Sequence, residues 1–77
     1  MEISVFFFGQ LTDIIGSRQV RLSDVSDTDA LENTLKARYP MLRQSKYVIA
    51  VNRKIIREKM DLTSNAEVAL LPPFSGG

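Results

Sequence analysis

The sequence predicts an α+β domain, a single sheet with one main helix packed on one face. Three observations predict it. Residues 3–8 form an almost unbroken apolar and aromatic run; residues 28–38 show helical spacing with apolar side chains on one side only; and four more short stretches carry β-type patterning. A chain of 77 residues supports one core and leaves no room for a second.

The run at residues 3–8 is broken only by Ser4 and stopped by Gly9, so it reads as a central strand. Leu11, Ile14 and Ile15 then fall at helical spacing before Gly16, which predicts a short helical turn closed by a glycine in the left-handed region. Residues 18–22 alternate, with Val20 and Leu22 on one side, as a half-buried second strand does. Asp27 or Thr28 can cap the main helix, Asp29 and Glu32 suit its positive first turn, and Pro40 ends it. Leu31 and Leu35 share one face, with Thr34, Arg38 and Tyr39 at its border and Glu32, Asn33 and Lys36 toward water. So narrow a stripe gains its stability from packing on a sheet. Residues 47–51 make a third strand, Asn52-Arg53 a tight connection and residues 54–56 a short return strand. After a turn at Ser64-Asn65 the last strand, residues 67–71, sets Val68 and Leu70 on one face and Glu67, Ala69 and Leu71 on the other.

Composition narrows the function classes. Hydrophobic residues make up 44% and charged residues 25%, the balance of an ordinary globular chain. Ten basic against nine acidic residues leave a formal charge of +1, with no basic tract, which argues against nucleic acid as a ligand. Arg53, Lys54, Arg57 and Lys59 come nearest to a patch, but Glu58 and Asp61 interrupt them and the group reads as a solvated hairpin surface. No apolar run reaches the ~18 residues of a membrane span, and no leader or lipidation motif is present, so a cytoplasmic location and no membrane partner are expected. The chain contains no Cys, His or Trp. No metal site is therefore expected, and disulfide, thiolate and Ser-His-Asp chemistry are excluded.

Alternation in the first strand puts Ile3, Val5 and Phe7 inside and Ser4, Phe6 and Phe8 outside. Glu67 marks the outer face of the last strand in the same way, so Leu71 shares the solvent side with Phe8. Either Ile55 or Ile56 is the outward residue of the short strand. An apolar patch of this kind signals a protein partner, unless sheet curvature or the chain end covers it.

The other functional signal is Pro72-Pro73-Phe74-Ser75-Gly76-Gly77. A Gly-Gly end alone arises by chance in roughly one chain in two hundred, so its weight comes from context. Two prolines directly after the last strand stop its pairing and turn the chain outward, giving a domain over residues 1–71 and a flexible tail over 72–77. Six residues span about 20 Å, enough to enter a neighbour's active site. Glycines without Cβ pass a channel too narrow for other residues. A terminal carboxylate is an anion at neutral pH and a poor electrophile. To carry a group it must be activated, most simply as an acyl-adenylate formed with ATP. In a chain without Cys, that activated carboxyl is the one place for transferable sulfur to be held covalently, as a thiocarboxylate.

The segments Val5-Phe6-Phe7-Phe8-Gly9-Gln10, Ala50-Val51-Asn52 and Val68-Ala69-Leu70-Leu71-Pro72-Pro73-Phe74-Ser75-Gly76-Gly77 resemble the molybdopterin synthase small-subunit family of sulfur carriers, and the resemblance spans essentially the whole chain. It implies a ubiquitin-like β-grasp fold with a mixed sheet. It implies adenylylation and then thiocarboxylate formation at Gly77 by a ubiquitin-activating-like adenylyltransferase that uses ATP, with no cofactor bound by the chain itself. It further implies that Pro72, Pro73, Phe74, Ser75 and Gly76 thread into the molybdopterin synthase large subunit, and that Phe8, Ile55 and Leu71 dock on that subunit. The assembly would contain two small and two large subunits, the chain being its non-catalytic carrier. Sulfur would pass to cyclic pyranopterin monophosphate to form molybdopterin. Phe74 stands where valine is commoner in the family. Competing readings are a sulfur carrier for thiamine or another thiolation pathway, a ubiquitin-like modifier joined to lysines through Gly77, and a free-standing enzyme, the last disfavoured by the missing His and Cys.

Overall fold

A computed structural model describes residues 2–73 of the chain. The first strand, β1 (Glu2–Phe7), pairs antiparallel with β2 (Gln19–Ser23), with Ile3 opposite Leu22 and Val5 opposite Val20. Between them, helix α1 (Leu11–Ile15) buries Leu11 and Ile15 and closes at Gly16, whose φ of 81° gives the left-handed cap.

Helix α2 (Thr28–Arg38) starts where Asp27 turns its side chain back: Oδ1 accepts the Ala30 N–H at 2.8 Å. Leu31 and Leu35 are fully buried, each worth about 2 kcal/mol in water-excluded area. A 3-10 turn at Pro40–Gln44 follows and buries Leu42. Strand β3 (Val48–Val51) and strand β4 (Lys54–Ile56) are joined by Asn52 and Arg53 with φ of 51° and 71°, the paired left-handed conformation that matches strand twist in two-residue hairpins.

Strand β5 (Glu67–Leu71) lies in the middle of the sheet, parallel to β1 and antiparallel to β3, in the order β2-β1-β5-β3-β4. The sheet is therefore mixed. Its inner face (Ile3, Val5, Phe7, Leu22, Val68, Leu70) forms one core with Leu31, Leu35 and Leu42. Val25 and Leu62, from irregular segments, complete it.

The structure departs from the sequence reading at four places. The first strand stops at Phe7; Phe8 lies just past it, although its N–H still donates to the Leu70 carbonyl at 3.2 Å. The second and third strands begin one residue later than patterning suggests. Glu32 and Lys36 are half-buried rather than turned to water, because Tyr47, fifteen residues beyond Glu32, donates its hydroxyl to the Glu32 carboxylate and lies under Lys36. The 3-10 turn carries only one buried apolar side chain, too little periodicity to mark it in advance.

Candidate functional site

The outer face of the sheet carries the site. Ala50 is paired with Ile55 on one side and Ala69 on the other, and Ala69 is paired with Phe6, so these four form one row across the sheet. Leu71 stands opposite Val48 in the next row. Phe8 follows at the end of β1, beside the β5 strand whose Leu70 carbonyl takes its N–H.

Large side chains thus surround two alanines. Ala50 and Ala69 form the floor of a shallow depression of about 370 Å³, with Phe8, Ile55 and Leu71 as its walls and Arg53 and Glu67 at its edge. Phe8 is 49% exposed and Ile55 48%, whereas Leu71 is half-buried. Ala50, although it faces outward, is only 7% exposed because its neighbours stand above it. A hollow with small residues at the centre and large apolar ones around it suits a protruding side chain of another protein. Arg53 and Glu67 face each other at 3.8 Å, both well exposed, and add polarity to the edge rather than much stability.

The three residues expected to dock are therefore brought together by the fold. Ile55 is the outward residue of β4, and Ile56 packs toward the core. Phe6 is half-buried, so the apolar face is less open at its β1 side than alternation alone suggests. Pro72 is half-buried and Pro73 exposed, at the end of the sheet where Phe8 and Leu71 stand. Phe74, Ser75, Gly76 and Gly77 lie outside the described residues.

Three contributors escaped the sequence reading. Ala50 and Ala69 become the floor only through strand register: alternation sets Ala69 on the outer face, but nothing local brings Ala50 beside it. Gly9 has a φ of +60°, and a Cβ built on it would come 2.7 Å from Cγ of Pro72. Its position after an aromatic run signalled only a strand end.

A larger groove, about 570 Å³, runs between α2 and β4 and is lined by Asp29, Glu32, Tyr47, Ile56 and Lys59 among others. Its lining mixes both signs of charge, Asp29, Glu32 and Glu58 with Arg57 and Lys59, and among the described residues no three Cys, His, Asp or Glu side chains gather as metal ligands do. Tyr47 in this groove holds its proton well above the usual phenol range, through burial first, then through the hydrogen bond to Glu32 and that group's charge. Among the described residues no helix is long and apolar enough to cross a membrane.

A five-stranded mixed sheet, one main helix on its inner face and an apolar hollow beside the outgoing last strand define a ubiquitin-like β-grasp protein. Residues 5–77 match the ThiS family, and the chain belongs to it. Similar proteins include the molybdopterin synthase sulfur carrier subunits of Chlamydomonas reinhardtii (31% identical, covering 100% of both chains) and Caenorhabditis elegans (29% identical, covering 100% of this chain and 99% of the relative). Among solved structures, the chain resembles small archaeal modifier protein 1 from Methanosarcina acetivorans, at 25% identity and a TM-score of 0.82 over 99% of this chain and 96% of that one. It also resembles a chain in the complex of subunits 1 and 2 of molybdopterin-converting factor from Helicobacter pylori, at 25% identity and a TM-score of 0.75 over 100% of both.

Proposed function

We propose that this chain is the sulfur-carrier subunit of a molybdopterin synthase, and that it works through the carboxyl group of Gly77. The observation that carries the reading is the placement of the hollow. Phe8 and Leu71 stand at the end of β1 and β5 from which Pro72 and Pro73 lead toward Gly76 and Gly77. A partner docked on Phe8, Ile55 and Leu71 therefore receives the following residues without a separate search. Full-length likeness to sulfur carrier subunits supports the same reading, as does a family match that extends to residue 77.

The chemistry is an activation and a transfer. The Gly77 carboxylate attacks the α-phosphorus of ATP on an adenylyltransferase, and pyrophosphate leaves. A donor that delivers sulfur at the sulfide oxidation level, hydrosulfide in the simplest case, then attacks the acyl carbon and AMP departs, which leaves a thiocarboxylate. Docked on a large subunit in a hetero-oligomer of two small and two large chains, the thiocarboxylate sulfur bonds to a side-chain carbon of cyclic pyranopterin monophosphate as an oxygen substituent leaves that carbon. Water then cleaves the acyl–sulfur bond, which returns the Gly77 carboxylate and leaves the sulfur on the pterin, and a second carrier repeats the step to give the two sulfurs of molybdopterin. Phe74, Ser75 and Gly76 supply reach and a narrow backbone. The chain contributes no acid, base or cofactor of its own and works in the cytoplasm, where ATP is at hand.

The test is intact-mass measurement after incubation with the cognate activating enzyme, ATP and a sulfur donor. Exchange of one oxygen for sulfur at Gly77 is the expected result. An unmodified carboxyl under conditions that sulfurate a known carrier refutes the proposal. A second reading, conjugation to protein lysines, is favoured by the likeness to an archaeal modifier protein. It predicts ATP-dependent ladders of larger species on gels, which a pure sulfur donor does not give.

A further inference from the structure

Gly9 lies between the docking hollow and the outgoing chain, and its surroundings are unusually constrained. Its carbonyl accepts two hydrogen bonds from Thr12, one from the backbone N–H at 3.1 Å and one from Oγ1 at 2.8 Å. The carbonyl of Phe8 accepts the Leu11 N–H at 3.2 Å, while the Phe8 N–H reaches across to β5. The peptide at residue 9 is thus held from the α1 side and from the sheet at once.

Pro72 rests on this fixed backbone. A Cβ at position 9 would stand 2.7 Å from Pro72 Cγ and 3.4 Å from Cδ, closer in the first case than real Cβ atoms come. The ring cannot swing aside as a flexible side chain would, because Cδ is bonded to the backbone nitrogen and φ is fixed. Repuckering eases the contact at Cγ, but Cδ stays with the backbone nitrogen, so a side chain at residue 9 presses on the ring and, through it, on the backbone of Pro72. That is the point from which the chain sets out toward Gly77.

We propose that Gly9 is a positioning residue: the space left by its missing side chain is the seat of Pro72, and this seat sets the direction in which the terminal segment leaves the docking hollow. The inference rests on the carrier reading for its consequence, though not for its geometry. Misdirection by about 1 Å at a reacting group lowers rates by up to roughly 100-fold.

Gly16 supplies the control. It has a φ of +81°, so alanine is strained there as well, but nothing lies within 4 Å of its Cβ position. The experiment compares the full-length chain with its Gly9→Ala, Gly16→Ala, Pro72→Ala and Gly9→Ala/Pro72→Ala variants. Each is examined for thermal midpoint, for NMR contact between residue 9 and residue 72 with the amide shifts of residues 71 and 74–77, and for the rate of sulfur loading and transfer. Gly16→Ala is expected to lower the midpoint and leave the terminal shifts and the rates unchanged. Gly9→Ala is expected to move those shifts and to lower transfer about 10- to 100-fold, and the double variant to recover to the level of Pro72→Ala alone.

Gly9→Ala behaving like Gly16→Ala in shifts and rates overturns the inference. So does a double variant no better than Gly9→Ala. Should Gly9→Ala fail to fold, the double variant must fold and transfer sulfur, and its failure counts against the seat. A wild-type chain that never loads sulfur refutes the carrier reading instead, while the NMR comparison still decides the seat.

Discussion

Asn52 and Glu67 hold each other twice: the Asn52 N–H donates to the Glu67 carbonyl at 2.8 Å, and the Glu67 N–H donates to Asn52 Oδ1 at 3.0 Å. The β3–β4 turn is thereby tied to the first residue of β5, beside the edge of the hollow. Asn52 also holds a φ of 51°, which asparagine tolerates better than most residues.

Asn52→Ala loses the side-chain acceptor and strains the left-handed backbone. The expected loss is about 2 kcal/mol, or roughly 10 °C in thermal midpoint for a domain this small. Asn52→Gly loses only the acceptor and should fall about half as far. Equal losses in calorimetry would show that the backbone conformation contributes nothing.

The cap at Asp27 gives a second comparison. Its Oδ1 accepts the Ala30 N–H, and its Oδ2 lies 3.6 Å from Lys59 Nζ in an ion pair whose Lys59 side is exposed. Asp27→Ala should lower stability by about 1 kcal/mol, whereas Asp27→Asn, which keeps the acceptor, should lose under about 0.5 kcal/mol. Urea midpoints that fall equally for both would assign the stability to the ion pair.

The Tyr47–Glu32 hydrogen bond predicts a pH dependence. Burial, then the Glu32 hydrogen bond and charge, raise the native phenol pKa above its unfolded value of about 10. The resulting stability is fully present below about pH 10 and is lost as pH rises through the native value, because the unfolded chain gives up the proton first. Lys36 lies 3.9 Å from Glu32 and faces the Tyr47 ring, and the comparison with Tyr47→Phe, which keeps both neighbours, is what isolates the phenol. That variant should be about 1.5 kcal/mol less stable near pH 7, with the gap narrowing above about pH 10. A gap constant to about pH 11.5 in urea titrations would remove the ionisation from the explanation.

Docking predicts a separation of binding from folding. Phe8→Asp and Ile55→Asp place charge on half-exposed walls of the hollow. Each should weaken the large-subunit complex by at least ~2 kcal/mol, about 30-fold in Kd. The thermal midpoint should move by no more than about 3 °C. Unchanged calorimetric affinity for both variants would exclude this face as the docking surface.

Much of the fold was legible because its signals are local. The Asp27 cap, the Leu31 and Leu35 stripe, the left-handed Gly16 and the Asn52-Arg53 turn all depend on residues a few positions apart. The alternation of Glu67, Val68, Ala69, Leu70 and Leu71 placed each of them on the face it occupies. The half-burial of Glu32 was not legible, since Tyr47 reaches it from outside the helix.

Read alone, the amino-acid sequence determined the α+β elements and which faces of them are apolar, because periodicity and turn preference are properties of the chain itself. Only the tertiary structure decided that β5 lies between β1 and β3, that Ile55 rather than Ile56 faces out, that Ala50 and Ala69 make a floor and that Gly9 seats Pro72. Apart from the Ile55 orientation, which follows from the β3–β4 hairpin, these are contacts between residues 17 to 63 positions apart, fixed by strand register and by shared burial, and no local pattern in the chain specifies them.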